Sequence, residues 1–230
     1  EINSPKSTLR QAYADGMVTD QAGWLKLLDD RNLTSHIYND ATASEIFQRM
    51  QAQGLLQSDA LLFINSIANV SLTVEDVEEY AQRYPELLKR LVVEITEQED
   101  LDRACLERKR NIPGFSGSFA LDDYGSGYSN ENTLLQLAPR FIKVDITIIR
   151  GIDASPDKQQ ILRNVVAYAH PRSMKIVAEG VETAAELRTV IELGADLLQG
   201  YFLARPAIVP GAIAPEAAAI IGELQRRKKD

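Results

Sequence analysis

Six short runs of β-branched and leucine-rich residues, each with a polar or charged side chain at or near its end, constrain this chain more than any other feature. They occupy 61–66 (LLFINS), 91–96 (LVVEIT), 118–123 (SFALDD), 140–145 (RFIKVD), 175–180 (KIVAEG) and 196–201 (DLLQGY). Between them the spacing of apolar residues predicts helices over 74–83, 157–169 and 184–193, the last closed by Gly194 as a C-cap. Strand-like runs alternating with helical segments are the pattern of repeated βα units around a parallel sheet.

A parallel strand buried on both faces should be almost continuously apolar. These runs depart from that rule at their C-terminal ends, where Asn65, Glu94, Asp122 with Asp123, Lys143 with Asp145, Glu179 and Gln199 fall. In a (β/α) barrel the C-terminal rim is where groups from separate strands converge, so six successive polar ends predict one shared site. Its carboxylates, amide oxygen and lysine suit a hard divalent cation, Mg²⁺ or Mn²⁺. Several carboxylates stay ionised side by side when cations neutralise them, and such ions assist attack of water on a phosphodiester. The reaction class expected from residue types is metal-dependent phosphoester hydrolysis, with Lys143 stabilising charge or orienting the water.

Composition narrows the partners. With 25 Lys+Arg against 33 Asp+Glu the chain carries a net charge of −8, which disfavours nucleic acid as a partner. Cys105 is the only cysteine, so there is no intrachain disulfide and no cysteine-based zinc cluster, and a reducing, cytoplasmic compartment is expected. No run approaches the roughly 20 apolar residues needed to span a bilayer, and no signal-peptide pattern opens the sequence, so no membrane partner is expected. The closing Arg226, Arg227, Lys228 and Lys229 read as cations complementing the dipole at a helix end.

Residues 1–52 change character. They read as helices over roughly 7–15, 20–30 and 39–53, with Asp20 and Asn39 as N-caps and no strand among them. The expected organisation is a helical segment over 1–52 followed by a barrel over 53–230. The expected fold class is α/β, an incomplete TIM-type (β/α) barrel of about six parallel strands preceded by an α-helical segment.

The motifs FINS, VVEITE, ALDDYGSGYS, FIKVD, IVAEGVET and LLQGYFLARP, in this order between residues 61 and 206, resemble the EAL family of cyclic di-GMP phosphodiesterases. The resemblance implies an eight-stranded (β/α) barrel whose rim binds cyclic di-GMP and opens one phosphodiester to give the linear dinucleotide, in bacterial signal transduction. It implies Asn65, Glu94, Asp122 and Asp123 as metal ligands, and Lys143 and Glu179 as catalytic residues, the lysine at the nucleophilic water and the glutamate as an acid of the metal site. It implies Glu97, Glu182 and Gln199 as substrate-binding or loop-anchoring residues, Glu97 holding the DDYGSGYS loop that Gly125 and Gly127 leave free to bend. That loop follows a strand without the lysine and serine of a P-loop, so it is not a phosphate cradle of that kind. The family's Glu-Ala-Leu tripeptide, whose glutamate is a metal ligand on the second barrel strand, occurs nowhere in the chain. The text where it would fall reads PKSTLRQAYAD, and no strand is expected there. Two of eight strands are therefore absent from the reading, and an open barrel edge must pair with something, which points to a homodimer through that edge or through the helical segment. The expectation is an impaired hydrolase, or a domain reduced to ligand binding.

Residues 4–50 carry a second resemblance, to nucleotidyltransferase substrate-binding proteins of the HEPN superfamily. It rests on QAGWLKLLDDRN and on RNLTSHIYN, in which Arg31, His36 and Tyr38 stand in the R-x-x-x-x-H-x-Y arrangement of its ribonuclease members. A guanidinium and an imidazole near one helical face can act together on an RNA phosphate. This leaves an alternative function, an RNA-directed or antitoxin-binding protein. Against it, Arg31 beside Asp29 and Asp30 reads equally as a surface ion pair, and the segment carries more acids than bases.

Overall fold

The computed structural model describes residues 61–65, 89–96, 114–126, 131–206 and 212–227, with isolated helical positions at 78, 82 and 107. The helices expected over 1–52, the boundary at 52/53, and Arg31, His36, Tyr38 and Glu97 lie outside the described residues. The helix expected over 74–83 is described at Glu78 and Gln82, both helical.

Among the described residues there are six strands: β1 (Leu62–Asn65), β2 (Leu91–Thr96), β3 (Ser118–Tyr124), β4 (Phe141–Val144), β5 (Lys175–Ala178) and β6 (Leu197–Leu198). Helices α1 (Glu131–Leu137), α2 (Ile146–Ile149), α3 (Pro156–Ala169), α4 (Ala184–Leu193) and α5 (Pro215–Arg227) lie among and after them. The strands form one sheet in the order β1-β2-β3-β4-β5-β6, every neighbouring pair parallel. The sheet curls into a half-barrel, an incomplete TIM-type barrel as the βα repeats predict.

Strand periodicity sorts the side chains into two layers. On the outer face Ile95, Leu121, Ile142, Val144, Ile176 and Ala178 join Leu162, Val165 and Ala169 of α3 and Leu187, Val190 and Ile191 of α4 in one buried cluster. On the inner face Val92, Ala120, Phe141 and Val177 form a separate cluster, with Leu61 and Phe63 against it. The Phe63 and Phe141 rings meet edge to face, their centroids 5.1 Å apart. Phe63, Val92, Ala120, Phe141 and Val177 each stand two residues before a rim residue: Asn65, Glu94, Asp122, Lys143 and Glu179. The apolar layer is therefore the floor on which the polar layer stands.

Local signals set the helix ends. Ser155 caps α3 by accepting from the Lys158 N–H, with Pro156 in the first turn. Thr183 and Glu186 form a reciprocal capping box at the start of α4, and Gly194 closes that helix at φ +105°, in the left-handed region glycine tolerates. The buried stripe of α5 is Ala217, Ile220 and Leu224, and Arg226 and Arg227 fall in its last turn. The sixth strand is shorter than its run suggests, two residues rather than six, because Gly200 packs against the Val181 backbone and the chain turns away there. Among the described residues no helix is long and apolar enough to cross a membrane.

Candidate functional site

Four strand ends meet at one ammonium group. Lys143 Nζ lies 2.6 Å from Glu94 Oε1, 2.7 Å from Asp122 Oδ1 and 3.0 Å from Glu179 Oε1. Glu94, Asp122 and Lys143 are buried, at 7%, 8% and 6% exposure, so the charges face one another rather than bulk water. Each comes from its own element: Glu94 from β2, Asp122 from β3, Lys143 from β4, and Glu179 from the residue after β5. Lys143 pairs in register with Val177, one layer below Glu179, and its four-carbon stem spans the difference. Sheet-like bonds continue past the nominal strand ends: Asp145 N–H donates to Tyr124 O, Glu179 N–H to Val144 O, and Gln199 N–H to Ala178 O.

Asp123 joins this group through a backbone irregularity. Consecutive residues on a strand face opposite ways, so the Asp122–Asp123 pair should split across the sheet. Instead the β3–β4 register shifts between Leu121 and Tyr124, and Asp123 adopts φ +56°. A bulge of this kind re-aims a side chain. Carboxylate oxygens of Asp122, Asp123 and Glu179 consequently lie within 4.8 Å of one another, close enough for one hard cation to bridge them.

Burial dominates the electrostatics. It raises the Glu179 carboxyl to about 7; Lys143 opposes this, while the charges of Asp122 and Glu94 reinforce it. Burial also lifts Glu94 above its ordinary value despite the attraction and hydrogen bond of Lys143. Asp123 is raised by burial and then by the neighbouring charges of Asp122 and Asp145. Burial by itself would lower Lys143, yet Glu179, Glu94 and Asp122 together hold it above its ordinary value, firmly protonated. The cluster is thus short of positive charge.

Beside the cluster a cavity of about 600 Å³ opens beyond β4, β5 and β6, lined by Asp145, Ile146, Glu179, Glu182, Gln199, Tyr201 and Arg205 among others. That volume lies within the range of small-ligand sites. Gly180 (φ +70°) brings its loop so close to Ile146 that an added Cβ would overlap that side chain. At the mouth the Arg205 guanidinium stacks 4.9 Å above the exposed Tyr201 ring.

Of the residues singled out by sequence, Glu94, Asp122, Asp123, Lys143 and Glu179 come together. Glu182 and Gln199 line the cavity, and Glu182 also pairs with Arg150 at 2.8 Å. Asn65 ends β1 opposite Glu94 in register and is exposed. Four further residues carried no assigned role. Asp145 lines the cavity and caps α2 by accepting from the Thr147 N–H; its signal was a second polar residue after Lys143. Glu186 accepts from the backbone N–H groups of Gly151, Glu182 and Thr183, and the capping-box spacing T-x-x-E was its signal. The stacked pair of Tyr201 and Arg205 had none.

The EAL domain family model matches residues 8–206, and so extends across most of the first 52 residues. Cyclic di-GMP phosphodiesterase NbdA of Pseudomonas aeruginosa is 39% identical over 101 residues, 44% of this chain and 12% of that protein. Among solved structures, a standalone versatile EAL protein from Vibrio cholerae O395 in its c-di-GMP-bound form superposes with a TM-score of 0.64 at 28% identity. That match covers 80% of this chain and 82% of that one. The manganese/cy-diGMP complex of Klebsiella pneumoniae BlrP1 at pH 6 gives a TM-score of 0.58 at 27% identity, covering 79% of this chain and 49% of that one. The chain spans about a quarter or less of the length of the curated relatives it matches. Matched by the family model along most of its length, and with the motifs converging at one end of a parallel half-barrel, this chain belongs to the EAL domain family, which has cyclic di-GMP phosphodiesterases among its members.

Proposed function

We propose that this chain is an EAL-type cyclic di-GMP phosphodiesterase domain whose rim binds the cyclic dinucleotide in a cation-dependent way, and whose hydrolysis is impaired or reduced to ligand binding. The observation that carries this reading is the convergence of Glu94, Asp122, Asp123 and Glu179 around one buried lysine beside a ligand-sized cavity. The all-oxygen donors of Asp122, Asp123 and Glu179 fit Mg²⁺ or Mn²⁺, with Glu94 and Asn65 as further ligands. When bound, such an ion supplies Lewis-acid polarisation of the phosphoryl oxygen and a more acidic water.

The chain's own residues then have distinct tasks. Lys143 holds three carboxylates at the rim and sets its positive charge beside the place the attacking water takes in this reading. The cavity takes up part of the dinucleotide, with Gln199 and Glu182 offering hydrogen bonds and the Arg205–Tyr201 stack an exposed flat surface. Glu97 in this reading anchors the loop after β3. Impairment follows from composition: the Glu-Ala-Leu tripeptide, whose glutamate would complete the donor set, is absent from the sequence.

The test is incubation of purified protein with cyclic di-GMP and Mg²⁺ or Mn²⁺, with separation of nucleotide products. Binding with little or no linear dinucleotide is expected. Robust cation-dependent turnover would overturn the impairment, and failure to bind cyclic di-GMP with any divalent cation would overturn the reading as a whole.

A further inference from the structure

The geometry points to Lys143 as a built-in counter-ion: it occupies the carboxylate cage when no divalent cation is bound and opposes cation entry, so that the site is preformed but self-neutralised. This rests on the proposed cation-dependent reading of the rim and goes further, because it assigns the lysine a role before any substrate arrives.

Two observations carry it. The ammonium already contacts three carboxylates at 2.6–3.0 Å, distances typical of a fully engaged charged hydrogen-bond donor. Two of those three, Asp122 and Glu179, also belong to the trio whose oxygens lie within 4.8 Å of one another. The lysine and a divalent ion would therefore draw on the same carboxylates.

Charge counting gives the direction. Glu94, Asp122, Asp123 and Glu179 carry four negative charges when ionised, and Lys143 returns one. A first divalent ion still meets a net negative site, but it meets it across a few ångströms from a fixed ammonium in a buried setting, where like-charge repulsion is poorly screened. A second ion would leave the site positive with the lysine present and neutral without it. Removing the ammonium should therefore tighten divalent binding, whereas a lysine acting only on water and substrate would leave binding of the bare ion unchanged.

The experiment measures Mn²⁺ binding to the full chain without nucleotide, by the electron paramagnetic resonance signal of free Mn²⁺, in wild type, Lys143→Met and Lys143→Gln. Folding of each protein is checked by circular dichroism; the glutamine variant keeps an N–H donor and serves if the methionine variant does not fold. The expected result is binding at least about tenfold tighter in a folded variant than in wild type, a modest part of what a like charge at such distance can exert. Equal or weaker binding in the folded variants overturns the competition and leaves the cation-dependent reading intact. No Mn²⁺ binding by any of the three proteins overturns that reading, and this inference with it.

Discussion

At the scale of single residues, the site depends on which side chains the backbone aims at one point. Glu94, Asp122, Lys143 and Glu179 were legible in sequence as polar residues at or near the C-terminal ends of apolar runs, and in the fold each falls two residues after an inner-face apolar residue and shares its face. Asp123 was legible as a candidate, but its orientation was not: a left-handed φ inside a strand belongs to the local register shift, and nothing in the letters DD announces it. The same limit applies to Gly200. It reads as an ordinary glycine after a strand, yet an added Cβ there would overlap the Val181 backbone, which cannot step aside as a side-chain tip could. Gly200→Ala is expected to lower stability by about 2–3 kcal/mol, as overpacking against backbone does, and to widen the spacing between the loops that carry Glu179 and Gln199. Urea denaturation of the variant beside wild type measures this; an unchanged midpoint would mean that the approach of the two loops is looser than described.

At the scale of elements, two carboxylates outside the cluster hold the loops and strand starts in place. Glu186, buried in the first turn of α4, accepts three backbone N–H groups from two separate loops, at 2.7 Å from Gly151, 2.9 Å from Glu182 and 3.0 Å from Thr183. Burial would raise this carboxyl, but those donors outweigh it and hold it below its ordinary value of 4.5. Glu186→Ala leaves the three donors without their acceptor and is expected to cost about 2–3 kcal/mol, whereas Glu186→Gln, which keeps an acceptor oxygen, should cost less. Thermal unfolding of the two variants ranks them. Asp196, just before β6, gathers Lys175 Nζ at 2.7 Å, the Ile176 N–H at 2.9 Å and His170 Nε2 at 3.1 Å. His170 therefore serves at the end of the barrel opposite the rim, tying the turn after α3 to the sheet. Burial pushes Asp196 up, and its hydrogen bonds from Lys175, Ile176 and His170 more than reverse that, placing it below 3.8. A carboxyl lowered in the folded state contributes stability that is present above its unfolded value and lost as pH falls through the folded one. The stability difference between wild type and Asp196→Asn should accordingly be largest at pH 6 and shrink below about pH 4. Urea midpoints across that range test the sign, and a difference that grows on acidification would reverse it.

At the scale of the whole molecule, alternating strand and helix signals defined the architecture because they are long-range in their consequences: repeated βα units leave few ways to pack other than a parallel sheet. The observed order, β1 to β6 with every pair parallel, follows directly, and the helix expected over 184–193 is α4, ending on Gly194. Less legible were the short α2, whose four residues are too few for a periodic pattern, and the true extent of β6, set by the meeting of Gly200 and Val181. Membership of the EAL domain family and a rim rich in carboxylates both support the proposal that this half-barrel binds cyclic di-GMP through a cation held by the Asp122 cluster. Isothermal titration of cyclic di-GMP tests it most directly, in Ca²⁺ and again with the cation chelated, for wild type and for Asp122→Asn. Binding heat is expected for wild type in Ca²⁺, with its loss on chelation and its loss in the asparagine variant. No heat for wild type in Ca²⁺, or heat that survives both chelation and the substitution, would contradict it.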